Sequence, residues 1–231
     1  MKVYNFSPGP AKLDSSIISK SQQAMYNFQN TGLSILEIGH RSKEFEKLMN
    51  SLQENIRNIF NVPTNYFTLF LQGGATFQNT FIANNFDIRD KDLGCLVTGT
   101  WGKSTFDDFS KIRETKLIEL SQDEIENFVE SGEDLKNVDY LHLTSNETIN
   151  GVQLREFNKI NHDSLLIDMS SDIGSYRFEW DNIAYIYAGA QKNMGIPGVS
   201  ICIGDEKHLN SADNSKYLNI GQLVEKKSLL N

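Results

Sequence analysis

Residues 183–198 read Ile183-Ala-Tyr-Ile-Tyr-Ala-Gly-Ala-Gln-Lys192-Asn-Met-Gly-Ile-Pro-Gly198, an apolar segment that runs into small residues and a glycine-rich turn. A nearly continuous apolar segment is typical of a strand in a parallel sheet that helices cover on both faces. The small residues after it allow a bulky group to approach the backbone. Lys192 follows, and a lysine shielded from water at a strand end is suited to Schiff-base chemistry. The alternative is an ordinary surface lysine in a turn, and the flanking residues argue against it.

The rest of the chain alternates between short apolar segments and segments with helical spacing of apolar residues. This alternation predicts an α/β fold with a mostly parallel central sheet. The predicted strands are Tyr66–Leu71, Leu93–Thr98, Lys116–Leu120, Tyr140–Thr144, Leu165–Met169, Ile183–Ala188 and Val199–Ile203. The predicted helices are Ser15–Asn30, Lys43–Phe60, Ala75–Phe86, Lys103–Ile112 and Asp123–Val129. The polar tail from Asp205 onward shows little apolar periodicity, and no element is predicted there.

The composition is that of an ordinary globular protein, with 231 residues, 39% hydrophobic and 23% charged side chains, and a formal net charge of -8. This length suits one large domain. An acidic chain is a poor candidate for nucleic-acid binding, which depends on Lys and Arg contacts to phosphates. The chain shows no secretory signal and no apolar run long enough to span a bilayer. We therefore expect a cytoplasmic protein that binds neither nucleic acid nor membrane.

The two cysteines, Cys95 and Cys202, both lie in apolar segments, and we expect them to be buried thiols of the core. The sequence has no CxxC pattern, which fits a reducing compartment. Its four histidines have no spacing that predicts a metal site, so we expect no metal. A GxSxG nucleophile motif is also absent.

Asp168 ends the apolar segment Leu165–Asp168, at the edge of the sheet where α/β proteins bind ligands. A carboxylate in that place can keep a pyridinium nitrogen protonated, and this protonation makes a pyridine ring an electron sink. The alternative is an aspartate that caps a turn or the next helix. Asp168 precedes Lys192 by enough residues for the chain to return on an adjacent strand.

A pair of glycines, Gly73 and Gly74, follows a predicted strand and precedes a predicted helix. Backbone N–H groups at a helix start, together with the hydroxyl of Thr76, form an anion site suited to a phosphate. The segment is neither a Walker A loop nor a GxGxxG motif. Taken alone, an ordinary Gly-Gly turn explains it equally well.

Three further positions have residue types that suit a binding site. Trp101 lies in a loop between glycines, where it could stack on a flat ring or pack against a neighbouring helix. Thr148 follows a predicted strand and could donate a hydrogen bond to a ligand oxygen, or serve the turn. His40 and Arg41 precede a helix and could contact an anion, or be a solvated pair.

Seven segments occur in the order found in one known family and cover nearly the whole chain. They are NFSPGPAKL at 5–13, EIGHRSKEF at 37–45, LQGGATFQ at 71–78, TGTWGKS at 98–104, TSNETINGV at 144–152, LLIDMSSD at 165–172 and YAGAQKNMGIPG at 187–198. Together they resemble the phosphoserine aminotransferases, class-V aminotransferases that use pyridoxal 5'-phosphate (PLP). The resemblance implies the fold-type-I large domain, a three-layer α/β/α arrangement around a mostly parallel sheet.

The resemblance also implies a role for each matching residue. Lys192 would hold PLP covalently and Asp168 would pair with its pyridine nitrogen, and these two would be the catalytic residues. Trp101 would stack on the ring and Thr148 would bind the ring oxygen. The cofactor phosphate would be bound by Ala75, Thr76 and Gln191, and the substrate by His40 and Arg41, with His40 acting from the partner subunit of a homodimer.

The implied reaction moves an amino group between glutamate and 3-phosphohydroxypyruvate, giving O-phosphoserine and 2-oxoglutarate in serine biosynthesis. In some bacteria the same family also serves vitamin B6 synthesis. Residues 1–14 would be an N-terminal arm and residues 15–231 the PLP-binding large domain, while the family's small C-terminal domain is expected to be absent. The alternatives are another class-V enzyme, such as an alanine–glyoxylate-type aminotransferase or a cysteine desulfurase, and a non-catalytic fragment of the large domain.

Overall fold

The structure is a computed structural model. It describes residues 3–86, 91–131, 135, 137–209 and 218–229. Within these ranges the chain forms one sheet of seven strands with helices on both faces. None of the helices in the described part of the chain has the length and apolar character needed to cross a membrane.

The strands are β1 Tyr66–Gln72, β2 Leu93–Val97, β3 Thr115–Glu119, β4 Tyr140–Thr144, β5 Leu165–Asp168, β6 Ile183–Gly189 and β7 Val199–Asp205. They lie in the sheet in the order β1-β7-β6-β5-β4-β2-β3. The parallel pairs are β2 with β3, β2 with β4, β4 with β5 and β5 with β6. Strand β7 is antiparallel to both β1 and β6, so the sheet is mixed but mostly parallel. The predicted α/β fold is confirmed.

The helices are α1 Ser15–Tyr26, α2 Lys43–Phe60, α3 Ala75–Asn85, α4 Thr100–Ile112, α5 Gln122–Ser131 and α6 Ile220–Glu225. Short 3-10 turns lie at Phe28–Asn30, Phe157–Lys159 and Glu206–His208. The bounds of α2 match the prediction because its ends are capped locally. The Ser42 hydroxyl accepts the N–H of Phe45 at 3.2 Å, and Asn61 ends the helix in a left-handed conformation.

Three helices differ most from the prediction, and one of them, α4, begins at Thr100 rather than at Lys103. The first helix ends at Tyr26 rather than continuing to Asn30, because Asn27 is extended and its side chain accepts the N–H of Gly32 at 2.8 Å. The polar tail contains the unpredicted helix α6. Its Ile220 and Leu223 are buried, and the N–H of Ile220 donates to the Asn85 side chain at 2.7 Å. Residues 210–217 and 230–231 of this tail lie outside the described part.

The sheet separates two apolar cores. On strand β6, Ile186 and Ala188 face the core that includes Ile56 of α2, while Tyr185 and Tyr187 face the opposite core. Helices therefore cover both faces, which explains why β6 is buried along its whole length. Cys95 and Cys202 are buried free thiols within the sheet, as predicted.

Candidate active site

A cavity of about 660 Å³ opens at the carboxyl edge of the parallel strands. Thr144 at the end of β4 lies beside Asp168 at the end of β5, because the two residues are paired in register. The carboxyl edge of an open α/β sheet is the usual place for a ligand, since loops and helix starts meet there. The cavity is lined by seven residues singled out from the sequence: Ala75, Thr76, Trp101, Thr148, Asp168, Gln191 and Lys192.

Asp168 places a half-buried carboxylate in this cavity. Its Oδ1 accepts the backbone N–H of Ser170 at 2.8 Å. Burial raises the pKa of Asp168, while the Ser170 hydrogen bonds and the positive charge of Lys192 act in the opposite direction. A carboxylate held in this state is suited to pair with a cationic group of a ligand.

Lys192 and Trp101 face each other across the cavity. The Nζ of Lys192 lies 5.7 Å from the centre of the Trp101 ring, which is within the range of a cation–π contact. The N-terminal arm passes close to the lysine, and a Cβ added to Gly9 would lie 3.1 Å from Lys192 Cγ. The N–H of Ala11 donates to the backbone oxygen of Gln191 at 2.9 Å. The arm therefore shields one side of the lysine from water.

Trp101 is held at its backbone and at its ring. Its indole Nε1 donates to the Thr148 hydroxyl at 2.9 Å, and its backbone N–H donates to the Glu147 carboxylate at 2.9 Å. The residue remains 43% exposed and lines the cavity. Glu147 is not among the residues predicted from the sequence, although a carboxylate directly before Thr148 in the loop after a buried strand was a usable signal.

The start of helix α3 also lines the cavity. The helix begins after Gly74, whose lack of a side chain leaves the first N–H groups without a side-chain cap. Gly73 has a φ of 105°, a conformation that favours glycine, and it turns the chain from β1 into the helix. Ala75 and Thr76 line the cavity at this helix start. Backbone N–H groups in this arrangement attract a phosphate.

The layer beneath the cavity is uncharged. His142 is fully buried and its Nε2 lies 3.0 Å from the Tyr187 hydroxyl, which donates in turn to Asn79 Oδ1 at 3.4 Å. Burial lowers the pKa of His142 to about 3, so the imidazole is neutral. Within the described part of the chain, the buried hydroxyl of Thr144 has no hydrogen-bond partner, and it lines the cavity. The site thus has an unused polar group for a ligand.

The groups around the cavity match the parts of PLP. A carboxylate suits a protonated ring nitrogen, and an indole suits the face of a flat ring. An open helix start suits a phosphate, and an amine suits an aldehyde. These residue types therefore fit the cofactor that the sequence resemblance implies.

His40 and Arg41 do not line this cavity. They lie in the segment before α2, where His40 is half-buried and Arg41 is exposed. The structure therefore does not bring them to the residues that line the cavity, and their contact with substrate stays a prediction. The expectation that His40 acts in the site of a partner subunit stays a prediction.

The fold and the cavity are those of a class of transferases. The chain belongs to the aminotransferase class-V family, whose model matches residues 3–231. Within it, the chain is similar to the phosphoserine aminotransferase of Geobacillus kaustophilus strain HTA426, at 40% identity over 87% of this chain and 57% of the relative. The enzyme of the same name from Streptococcus thermophilus strain LMD-9 is 37% identical over 91% of this chain and 60% of the relative. The chain thus spans less than two thirds of the length of these curated relatives.

Solved structures give the same result. A phosphoserine aminotransferase from Bacillus circulans subsp. alkalophilus superposes with a TM-score of 0.87 at 34% identity, covering 100% of this chain and 65% of that one. A PLP-bound phosphoserine aminotransferase from Trichomonas vaginalis superposes with a TM-score of 0.85 at 28% identity, covering 100% of this chain and 70% of that one.

Proposed function

We propose that this chain carries the PLP-binding large domain of a phosphoserine aminotransferase. The enzyme would transfer an amino group between glutamate and 3-phosphohydroxypyruvate, giving O-phosphoserine and 2-oxoglutarate in serine biosynthesis. The observation that carries this proposal is the convergence of Lys192, Asp168, Trp101 and Thr148 on one cavity. The similarity to phosphoserine aminotransferases supports the substrate pair.

Four residues would hold the cofactor ring. Lys192 Nζ would bind the PLP aldehyde carbon covalently, and Asp168 would pair with the protonated pyridine nitrogen. Trp101 would cover one face of the ring, and Thr148 would hydrogen-bond the ring oxygen. When bound, PLP supplies an electron sink that stabilises negative charge on the reacting carbon. The geometry that supports these roles is the cation–π distance of Lys192 to Trp101 and the hydrogen bond from Trp101 to Thr148.

The phosphate of the cofactor would be bound at the start of helix α3. It would accept hydrogen bonds from the backbone N–H groups of Ala75 and Thr76 and from the Thr76 hydroxyl. The Gln191 side chain would donate to it as well. Gln191 and Lys192 are adjacent in sequence and both line the cavity. A cofactor fixed at its phosphate and at Lys192 would have its ring orientation determined at two ends.

Lys192 would also move the proton in the reaction. Once an incoming substrate amine replaces it, the Lys192 amine is available as a general base at Nζ. It would take a proton from the substrate α-carbon and, as a general acid, deliver it to the former aldehyde carbon of the cofactor, which is the 1,3-proton shift that moves the amino group. The N-terminal arm around Gly9 would limit the access of water to this amine.

We further propose a cytoplasmic homodimer, with residues 1–14 as an arm and residues 15–231 as the large domain. His40 and Arg41 would contact the substrate, with His40 acting in the partner's site. Exposed apolar residues in the arm and in α1 support association: Val3, Tyr4, Phe6, Met25 and Tyr26 are each more than half exposed. The buried free thiols of Cys95 and Cys202 suit a reducing compartment.

A cysteine desulfurase is a weaker candidate for this chain. Such an enzyme needs a reactive thiolate, and burial raises the pKa of the Cys202 thiol to about 12. Cys95 is fully buried in the sheet, and burial raises the pKa of its thiol as well. Neither thiol lines the cavity.

The direct test is to incubate the purified protein with PLP, glutamate and 3-phosphohydroxypyruvate, and to follow O-phosphoserine by mass spectrometry. We expect phosphoserine to form with glutamate, and little product from hydroxypyruvate without the phosphate. A protein that binds PLP but converts alanine and glyoxylate instead would contradict the substrate assignment. A protein that binds PLP and transfers no amino group would indicate a non-catalytic domain.

A further inference from the structure

The loop after β4 packs directly onto the turn that precedes helix α4. Within the loop, the N–H of Gly151 donates to the Glu147 backbone oxygen at 2.8 Å, and the N–H of Glu147 donates to the Val152 backbone oxygen at 2.8 Å. The Asn150 side chain reaches the other segment and donates to the backbone oxygen of Thr98 at 2.7 Å. The two segments are distant in sequence, yet hydrogen bonds join them beside the cavity.

The carboxylate of Glu147 lies at the start of helix α4. The residue is 0% exposed, and its two oxygens accept the N–H groups of Trp101 at 2.9 Å and Gly102 at 2.6 Å. Gly99, which precedes the helix, offers no side chain to cap it. Glu147 therefore supplies from another segment the acceptors that a local capping residue normally provides, and its charge suits the helix start.

The glycines of the α4 segment make room for this side chain. A Cβ added to Gly99 would lie 2.7 Å from Glu147 Cδ, and one added to Gly102 would lie 3.2 Å from Glu147 Oε1. Both distances are shorter than ordinary contacts. The two glycines on either side of Trp101 are thus matched to the carboxylate.

We propose that Glu147 is a positioning residue that fixes Trp101 in the orientation needed to cover the cofactor ring. Glu147 anchors the backbone of Trp101, and the next residue, Thr148, anchors its indole nitrogen at 2.9 Å. Adjacent residues of one loop therefore hold the tryptophan at both ends. The inference deepens the proposed function and rests on it only where PLP is concerned, because the orientation of Trp101 can be measured without cofactor.

Removing the carboxylate should loosen the ring. In Glu147→Leu, the N–H groups of Trp101 and Gly102 lose their acceptor, and the Gly102 N–H is buried. An unsatisfied buried donor is costly, so the first turn of α4 should shift or fray. Glu147→Gln keeps the shape of the side chain and one acceptor oxygen. The orientation of Trp101 should therefore be closer to that of wild type than it is in Glu147→Leu.

The experiment uses the protein labelled with 5-fluorotryptophan and observed by ¹⁹F NMR without cofactor. The chain has two tryptophans, and Trp101→Phe assigns the signals. We expect Glu147→Leu to shift and broaden the Trp101 signal and to leave that of Trp180, which is in the core, unchanged. Asp107→Asn is the matched control, because it removes an exposed carboxylate from the same helix and should move neither signal.

The cofactor arm of the test is a PLP titration followed by absorbance. We expect Glu147→Leu to weaken PLP binding by about tenfold, in keeping with the loss of a charge-assisted hydrogen bond, with a smaller loss in Glu147→Gln. A Trp101 signal unchanged in both variants would overturn the proposal. If Glu147→Leu does not fold, the ¹⁹F signal of Trp101 in Glu147→Gln decides whether the proposal holds, and an unchanged signal would overturn it. Failure of the wild-type protein to bind PLP would instead refute the proposed function, and the ¹⁹F comparison would still stand.

Discussion

The Oδ1 of Asp168 accepts the backbone N–H of Ser170 at 2.8 Å, just beyond the end of strand β5. This bond fixes the carboxylate in the cavity while the bulk of the residue is surrounded by protein. Burial raises the pKa of Asp168, so the ionised form is less favourable in the folded state than in water and gains from a cation placed beside it. A protonated pyridine nitrogen would be such a cation.

Asp168→Asn should therefore separate stability from activity. The amide oxygen can still accept the Ser170 N–H, but it cannot keep a ring nitrogen protonated, so we expect the transamination rate to fall by about 10²–10³-fold. The raised pKa means that ionisation of Asp168 destabilises the PLP-free protein as pH rises through that pKa. At neutral pH the PLP-free variant should thus melt no lower than wild type. Unchanged activity in Asp168→Asn would contradict the role of this carboxylate.

Thr76→Ala tests the phosphate site. Thr76 lines the cavity at the start of α3, and its hydroxyl would donate to a charged phosphate. Losing that bond should weaken PLP binding by about 10–100-fold. Pyridoxal, which lacks the phosphate, should bind both proteins equally. Thr80→Ala, an exposed change on the same helix, is the matched control. Equal weakening of both ligands would place the phosphate elsewhere.

His142 should make the protein sensitive to acid. Its pKa is lowered to about 3 by burial, whereas an unfolded chain has a histidine pKa near 6.5. The unfolded state binds the proton more tightly, so stability is present above about pH 6.5 and is lost as pH falls below it. At about pH 5, this histidine alone should lower the free energy of unfolding by roughly 2 kcal/mol relative to neutral pH.

The measurement is urea unfolding of wild type and His142→Gln at the two pH values. The variant should be less stable than wild type at neutral pH, because the hydrogen bond to Tyr187 is altered. On acidification its free energy of unfolding should fall by about 2 kcal/mol less than that of wild type. Subtracting the two proteins removes the contribution of His208, whose pKa burial also lowers, to about 4. An identical loss in both proteins would show that His142 is not the group responsible.

Gly204→Ala tests the packing of the sheet away from the site. A Cβ at Gly204 would lie 2.5 Å from Phe67 Cζ and 2.9 Å from Tyr185 Cδ2, both in the core. We expect a loss of about 1–3 kcal/mol in unfolding free energy, with PLP absorbance unchanged. Gly39→Ala is the control, because a Cβ there meets nothing within 4 Å. Equal stabilities of the two variants would contradict this packing.

The sheet could be predicted because most of its strands are short apolar runs buried on both faces, whereas the edge strand β3 is mostly exposed. Tyr140–Thr144 has the predicted bounds, and the other strands differ by at most two residues at an end. Helix α4 begins at Thr100, three residues before the predicted Lys103. The reason is physical: its cap is Glu147, which comes from another segment, so no local signal marks the start.

The site was predictable only in part. Asp168, Trp101 and Lys192 follow apolar strands, and the topology brings strand ends together. Glu147 was missed because its burial depends on a contact across 45 residues. The same holds for His142, whose partner Tyr187 lies on a strand that is not adjacent to its own. His40 and Arg41 were predicted as substrate ligands from the resemblance, and they lie outside the cavity of their own chain.

Covalent labelling of Lys192 is the most direct test of the central claim. The protein is mixed with PLP, reduced with borohydride, digested and analysed by mass spectrometry, with Lys192→Ala as the control. Reduction makes the bond between PLP and its lysine permanent. We expect a pyridoxyl group on Lys192 at one equivalent of PLP, and no selectively labelled lysine in Lys192→Ala. The transamination rate of that variant should be lower by about 10²–10⁴-fold. Labelling scattered over surface lysines, with Lys192 unmodified, would contradict the role of Lys192 as the cofactor lysine.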